Sequence, residues 1–156
     1  MKRLLLFTPL LLAAGGCATP GTHHLKPDSR PPILSRASRI DGTALRLDIA
    51  DLRRRGRTVT LDLRLRSNAP HGAPEHVIGA DFASHADGDL SAVSLVDPVT
   101  GARLHPLTDD AAQDLFDEVL TPGGTKVLTV SFPAPRGKSA DVIVPHFGSF
   151  RDVPVR

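Results

Sequence analysis

The sequence predicts an all-β domain with one short helix, carried behind a removable N-terminal segment. Three observations lead there: apolar and polar residues alternate in several short runs, Gly and Pro break the chain at close intervals, and a single stretch changes to a helical period.

The N-terminus comes first. Lys2 and Arg3 precede an apolar run over residues 4–14, and Gly15 and Gly16 then lead into Cys17. Charge, apolar run and small residues in that order form an export signal. The run is too short for a membrane-spanning helix, which needs about 20 apolar residues, so residues 1–16 are expected to be removed. Ala14-Gly15-Gly16-Cys17 resembles a lipobox, where bacterial lipoproteins receive a diacylglyceryl group on cysteine. It departs from the usual pattern in placing Ala14 where Leu or Val is common. An ordinary signal peptidase also accepts small residues, but Cys17 is the chain's single cysteine and has no internal disulfide partner. Its place at the end of the apolar run selects lipidation, and with it a membrane anchored through the lipid.

Loss of residues 1–16 takes away Lys2 and Arg3 and no acid, so 17 basic residues then face 17 acidic ones. The basic balance of the whole chain therefore comes from the signal, and nucleic acid is not expected as a partner. The remaining 140 residues suit one domain. With no Trp, no Tyr and six Phe, its core must be mostly Leu, Val, Ile and Ala.

Residues 17–38 carry Pro20, Pro27, Pro31 and Pro32 among polar residues. They read as a lipidated cysteine and a flexible tether, with the domain over 39–156. About 22 residues from Cys17 to Ile40 give a coil reach of roughly 25 to 28 Å.

Leu45, Leu47 and Ile49 alternate with Arg46 and Asp48, and Val59, Leu61, Leu63 and Leu65 alternate with Thr60, Asp62 and Arg64. Both runs predict half-buried strands. All seven apolar positions are odd-numbered. Setting them on one face of a hairpin requires an odd-numbered connection around Arg53-Arg54-Arg55-Gly56, unless a bulge shifts the register. Residues 67–89 read as a long loop in which Val77, Ile78 and Phe82 form at most one weak strand. Val93 and Leu95, the turn Asp97-Pro98-Val99-Thr100-Gly101, and Leu104 and Leu107 predict a second hairpin. Over residues 108–120, Ala112, Leu115, Phe116 and Val119 recur at a helical period behind Asp109 and Asp110, which predicts the short helix. Pro122-Gly123-Gly124 ends it. Leu128, Val130 and Phe132 resume period two, Val142 and Val144 mark another strand, and Phe147, Phe150 and residues 153–155 close the domain. Leu61, Leu63, Leu128 and Val130 are expected on inner faces. About seven short strands with one helix indicate an immunoglobulin-like antiparallel β-sandwich.

Residues 93–107, with Asp97-Pro98-Val99-Thr100-Gly101 at their centre and His105-Pro106-Leu107 at their end, resemble a domain of high-GC Gram-positive cell-envelope lipoproteins. So do Leu120-Thr121-Pro122-Gly123-Gly124, Ser131-Phe132-Pro133-Ala134-Pro135 and the ending from Val144-Pro145-His146-Phe147-Gly148 onward. The resemblance covers the C-terminal half strongly and the first hairpin weakly. It implies an immunoglobulin-like accessory domain without known catalytic residues, often in front of an outer-membrane-protein-A-like peptidoglycan-binding module. The chain stops at Arg156 before any such module, and the segment 109–119 stands where family members have a close cysteine pair.

Candidate chemistry is sparse. Seven histidines include His23 and His24 in the tether and His71, His76 and His85 in the long loop, none at zinc-ligand spacing. They are expected to be solvated, with His105 and His146 structural beside strands; no metal or other cofactor is expected. Asp109, Asp110, Asp114, Asp117 and Glu118 lack the calcium-loop pattern and read as a solvated helix face, as do Asp81, Asp87 and Asp89 as solvated loop acids. Arg53, Arg54, Arg55 and Arg57 form a cationic turn, the candidate interaction surface. Such a turn either touches anionic lipid head groups or keeps strand edges from pairing and aids solubility, and the second is expected. No Gly-x-Ser-x-Gly, His-Glu-x-x-His or phosphate loop occurs, so an enzyme is not expected. The expected function is a non-enzymatic envelope interaction module with a protein partner in the envelope; the alternative is a lipoprotein that binds a small ligand or metal.

Overall fold

A computed structural model describes residues 31–83, 89–107, 115 and 118–156. Its strands form two four-stranded antiparallel sheets and a small two-stranded one. The first sheet has the order β1 (Leu34–Ile40), β2 (Thr43–Arg55), β3 (Thr58–Ser67), β8 (Thr125–Pro133), and the second β10 (Gly148–Pro154), β9 (Ser139–Val144), β5 (Ser94–Val96), β6 (Arg103–Leu104). The all-β expectation holds.

β1 (Leu34–Ile40) and β2 (Thr43–Arg55) make the first hairpin. Their turn is Asp41-Gly42, with φ 46° and 82°. Two consecutive positive φ values match the type I′ turn, whose twist suits paired strands and for which Asp-Gly is a strong signal. Strand is therefore present from Leu34, inside the stretch up to residue 38 expected as tether. The reason is visible in β1 itself: every residue from Leu34 to Ser38 is at least partly exposed, so this edge strand has no apolar face to announce it. Backbone pairing with β2 holds it, together with Arg36 Nη1 donating to Phe147 O at 2.7 Å and Ser38 Oγ donating to His146 O at 2.9 Å.

β3 (Thr58–Ser67) returns from β2 through Gly56-Arg57, with Arg55 paired to Thr58. The connection is thus two residues long, with Gly56 at φ 62° where so tight a turn needs it. Its even length is reconciled with the odd-numbered apolar face by a bulge between Ile49 and Asp51. One extra residue, Ala50, shifts parity. Leu45, Leu47 and Ile49 point inward before it, and Leu52, even-numbered, points inward after it.

β4 (His76–Val77) pairs with β7 (Val119–Leu120), and a 3-10 turn follows at Gly79–Asp81. The expected helix is corrected at its C-terminal end, where Val119 and Leu120 are extended strand. Leu120 is buried opposite His76, and Glu118 O accepts the Ile78 amide at 3.1 Å. Of the other expected helical residues, Leu115 is buried, while 108–114, 116 and 117 lie outside the described residues.

β5 (Ser94–Val96) and β6 (Arg103–Leu104) form the second expected hairpin. β8 (Thr125–Pro133) completes the first sheet beside β3, bringing Leu61 against Val130 and Leu63 against Leu128. β9 (Ser139–Val144) and β10 (Gly148–Pro154) complete the second.

Both sheets contribute to one buried cluster. Leu61, Leu63, Leu128 and Val130 are fully buried in it, as expected, and Leu95, Val142, Phe150 and Val153 face it from the second sheet. Ile78, Phe82, Leu90 and Leu115 extend the cluster into the connecting segments. At each margin a chain end or connection crosses between sheets. Arg156 N donates to Leu52 O at 2.9 Å and Arg54 N to Arg156 O at 2.7 Å, continuing β2's pairing past the point where β1 ends. Leu107 N donates to Ser131 O at 2.9 Å on the opposite margin.

Candidate functional site

The fold gathers polar chemistry at two opposite ends. One end holds the β2–β3 turn, the β5–β6 turn, the β8–β9 connection and Arg156. The other holds the β1–β2 and β9–β10 turns and the segment around β4.

At the first end the cationic turn divides into two pairs. Arg53 Nη2 meets Asp62 Oδ2 at 2.5 Å, with Asp51 Oδ2 3.4 Å from its Nε. Arg54 Nη2 donates to Pro135 O and, at 3.0 Å, to Gly137 O. These two arginines, exposed like Arg55 and Arg57, also brace strands and connections. Arg55 and Arg57 are exposed, and their side chains carry no ion pair or hydrogen bond among the described residues.

Backbone pairing brings further cations beside them. Arg57 O accepts from Ala134 N at 2.9 Å, and Lys138 O accepts from Val155 N at 2.8 Å. Arg136, Lys138 and Arg156, all exposed, thus border the same end. The turn at Asp97 sits among them. Its carboxylate accepts from Val99 N at 3.0 Å, Thr100 Oγ1 at 3.0 Å and Arg136 N at 3.0 Å. The Arg136 amide, followed by those nearer contacts, holds the Asp97 carboxyl below its ordinary value despite the opposing cost of burial. Asp97 is therefore a strut joining two turns. Val99, 67% exposed, stands at the tip of the β5–β6 turn, and a Cβ placed on Gly137 would lie 3.2 Å from its Cγ2. Sequence spacing could not bring Arg136, Lys138 and Arg156 to the turn at residues 53–57, because the pairing that does so spans about eighty residues or more.

At the second end His76 and Asp81 are both buried, with Nε2 and Oδ2 2.7 Å apart. This corrects the reading of both as solvated loop residues. Burial raises the Asp81 carboxyl above its ordinary value; the His76 hydrogen bond and the His76 and His146 charges oppose that rise. The pair lies at the foot of β4 and fastens the 3-10 turn to it. Asp89 Oδ1 accepts the Ser91 amide at 2.9 Å. His71, His105 and His146 are exposed. Among the described residues, no group of three or more His, Cys, Asp and Glu is placed to hold a metal ion. Cys17, His23, His24, His85 and Asp87 lie outside the described residues, as do Asp109, Asp110, Asp114 and Asp117.

A groove of about 380 Å³ opens on the same end, lined by Arg39, Asp41, Thr43, Asn68, Pro70 and Pro74 among others. Among the described residues, no helix is long and apolar enough to cross a membrane. Comparison with protein-family models, with curated proteins and with solved structures found no match.

Proposed function

We propose that the chain is a lipid-anchored extracytoplasmic lipoprotein whose immunoglobulin-like sandwich acts as a non-enzymatic interaction module in the cell envelope. The observation that carries this reading is the order of Lys2 and Arg3, the apolar run, two small residues and Cys17, followed by a domain whose first strand among the described residues opens at Leu34. Two antiparallel four-stranded sheets over one core support the sandwich. The likeness is one of architecture. The strand orders β1-β2-β3-β8 and β10-β9-β5-β6 differ from the four-plus-three arrangement of antibody constant domains.

The polar residues fit a binding role better than a catalytic one. The buried His76 spends its Nε2 on Asp81, and Asp97 spends its carboxylate on two turns. A partner protein in the envelope is the occupant this reading assigns to the domain's exposed surface, and no nucleic acid is assigned.

Replacing Cys17 by Ala tests the anchor. In a bacterial host the wild-type chain should partition into detergent with the membrane fraction, and the variant should appear in the medium or stall as precursor. Unchanged membrane retention of the variant overturns the reading. The alternative, a small-ligand binder, is favoured by the groove lined by Arg39, Asp41 and Asn68, whose volume falls in the range of small-molecule sites. Stabilisation of the purified protein by a member of a metal and metabolite panel, with no envelope protein recovered by crosslinking, would put that reading first.

A further inference from the structure

We propose that the basic end of the domain is a docking surface for anionic phospholipid, with Val99 meeting the membrane interface and Arg55, Arg57, Arg136, Lys138 and Arg156 meeting the head groups. The inference rests on the anchored reading above and adds an orientation to it.

Four observations converge. The five cations are exposed and come from three separate parts of the chain joined by backbone hydrogen bonds. Most acids of that end are engaged, Asp51 and Asp62 with Arg53, Asp97 inside its turn and Asp141 with the Asp152 amide, and the five exposed cations outnumber the exposed Asp152. The end therefore keeps positive charge that faces solvent. Val99 is the most exposed of the large apolar residues among those described, and it stands against Gly137, between Arg136 and Lys138 in the chain. An apolar tip ringed by cations matches the membrane interface, where the tip leaves water and the long basic side chains keep their charges at head-group level.

The fourth observation is geometric. Ile33 N donates to Ile49 O at 2.8 Å, so the chain enters the fold midway along β2. Six residues separate Ile49 from Arg55, about 20 Å of strand. Sixteen residues separate Cys17 from Ile33, a reach of at most about 55 Å. A lipid on Cys17 and the basic end can thus meet the same bilayer. The end with His76, Asp81 and the Arg39–Asp41–Asn68 groove then faces away from the membrane, free for the partner.

The test uses Val99→Cys in the lipidated protein. The lipid occupies the Cys17 thiol, so position 99 carries the one free thiol for a polarity-sensitive dye. Val77→Cys, at the other end and 58% exposed in the parent, serves as control. In vesicles containing phosphatidylglycerol the label at 99 should be shielded and quenched by lipid-borne quenchers, and the label at 77 should not. In pure phosphatidylcholine, or near 1 M salt where the screening length is about 3 Å, the shielding should vanish. Equal behaviour of the two labels, or shielding that ignores lipid charge, overturns the proposal.

A second arm separates this from failure of the anchor. The chain from position 17 with Cys17→Ser, which needs no lipidation, should co-sediment with anionic vesicles and not with neutral ones. Each Arg or Lys near such a surface contributes about fivefold to partitioning. Arg55→Glu, Arg57→Glu and Lys138→Glu together should therefore lower it by at least about a hundredfold, with an unchanged melting temperature showing that the fold survives. No preference for anionic vesicles overturns the docking surface whatever the state of Cys17. Inorganic phosphate at millimolar concentration should not compete, and full competition by it would reassign the surface to a soluble anion.

Discussion

His76 Nε2 lies 2.7 Å from Asp81 Oδ2, and both side chains are about 6% exposed. The pair clamps β4 to the turn that follows it, across a segment otherwise held by the short β4–β7 ladder. Removing one partner leaves a buried polar group with nothing to bond. His76→Leu should destabilise the protein by about 3 kcal/mol, and His76→Leu with Asp81→Leu should cost less than the single change. Urea unfolding of both variants checks this; a double variant worse than the single one would show that the pair matters as volume and not as a bond.

The same carboxyl makes a pH prediction. Burial raises the Asp81 carboxyl above 3.8, its ordinary value, so the folded state holds the proton more tightly than the unfolded state. Its contribution is fully present below 3.8 and is lost as pH rises through the higher folded value. Asp81→Asn cannot ionise. Relative to wild type, the variant should gain stability as pH rises through that window, read by denaturant titrations at a series of pH values.

Asp97 has the opposite sign. Its carboxyl is held below the ordinary 3.8, first by the Arg136 amide. The stability it supplies is present above 3.8 and is lost as pH falls through the lower folded value. Asp97→Ala frees the Val99 and Arg136 amides from their shared acceptor. The variant should melt several degrees below wild type at neutral pH, and the gap should close in acid.

Leu52 owes its inward position to the bulge that absorbs Ala50. Leu52→Ala and Leu61→Ala should each cost about 2 to 5 kcal/mol, since both side chains are fully buried. Val127→Ala, on a position 48% exposed in the same sheet, should stay within about 0.5 kcal/mol. Deleting Ala50 should cost less than Leu52→Ala, because it removes the extra residue of the bulge and leaves Ile49 and Leu52 both inward in strict alternation. Chemical denaturation of the four variants gives the order directly.

Gly42→Ala isolates a backbone cost. A Cβ there meets nothing within 4 Å, while φ is 82°. The loss should be about 1 to 2 kcal/mol from the left-handed conformation alone, with an unchanged urea slope. A neutral result would mean that the Asp41-Gly42 turn takes a different form.

Much of the β scaffold was legible. The Leu45-Leu47-Ile49 and Val59-Leu61-Leu63-Leu65 alternations point where their period says, and Asp97-Pro98-Val99-Thr100-Gly101 turns where its residues say. The Asp41-Gly42 hairpin went unread, although its turn carries the Asp-Gly pair that favours a type I′ turn. β1 was not legible, since Leu34-Ser35-Arg36-Ala37-Ser38 carries no apolar face and forms a strand because β2 offers it a ladder. The helical period over 108–120 misled at its end, where Val119 and Leu120 pair with β4.

Within the candidate site, the sequence by itself marked Cys17 as the expected lipid site and the four arginines of the β2–β3 turn as a cationic group. Period, turn residues and the order of charge and apolar run are local, and local signals survive in a linear string. The tertiary structure decided that, of four exposed arginines, Arg53 and Arg54 also act as braces, that Val99 stands against Gly137, that Arg156 pairs beside Leu52, and that His76 is buried on Asp81. The Arg54, Val99 and Arg156 contacts join residues far apart in sequence, and the burial of His76 depends on the packing of β4 against β7. No spacing rule carries them, because burial and pairing choose the partner only once the two sheets have closed over a common core.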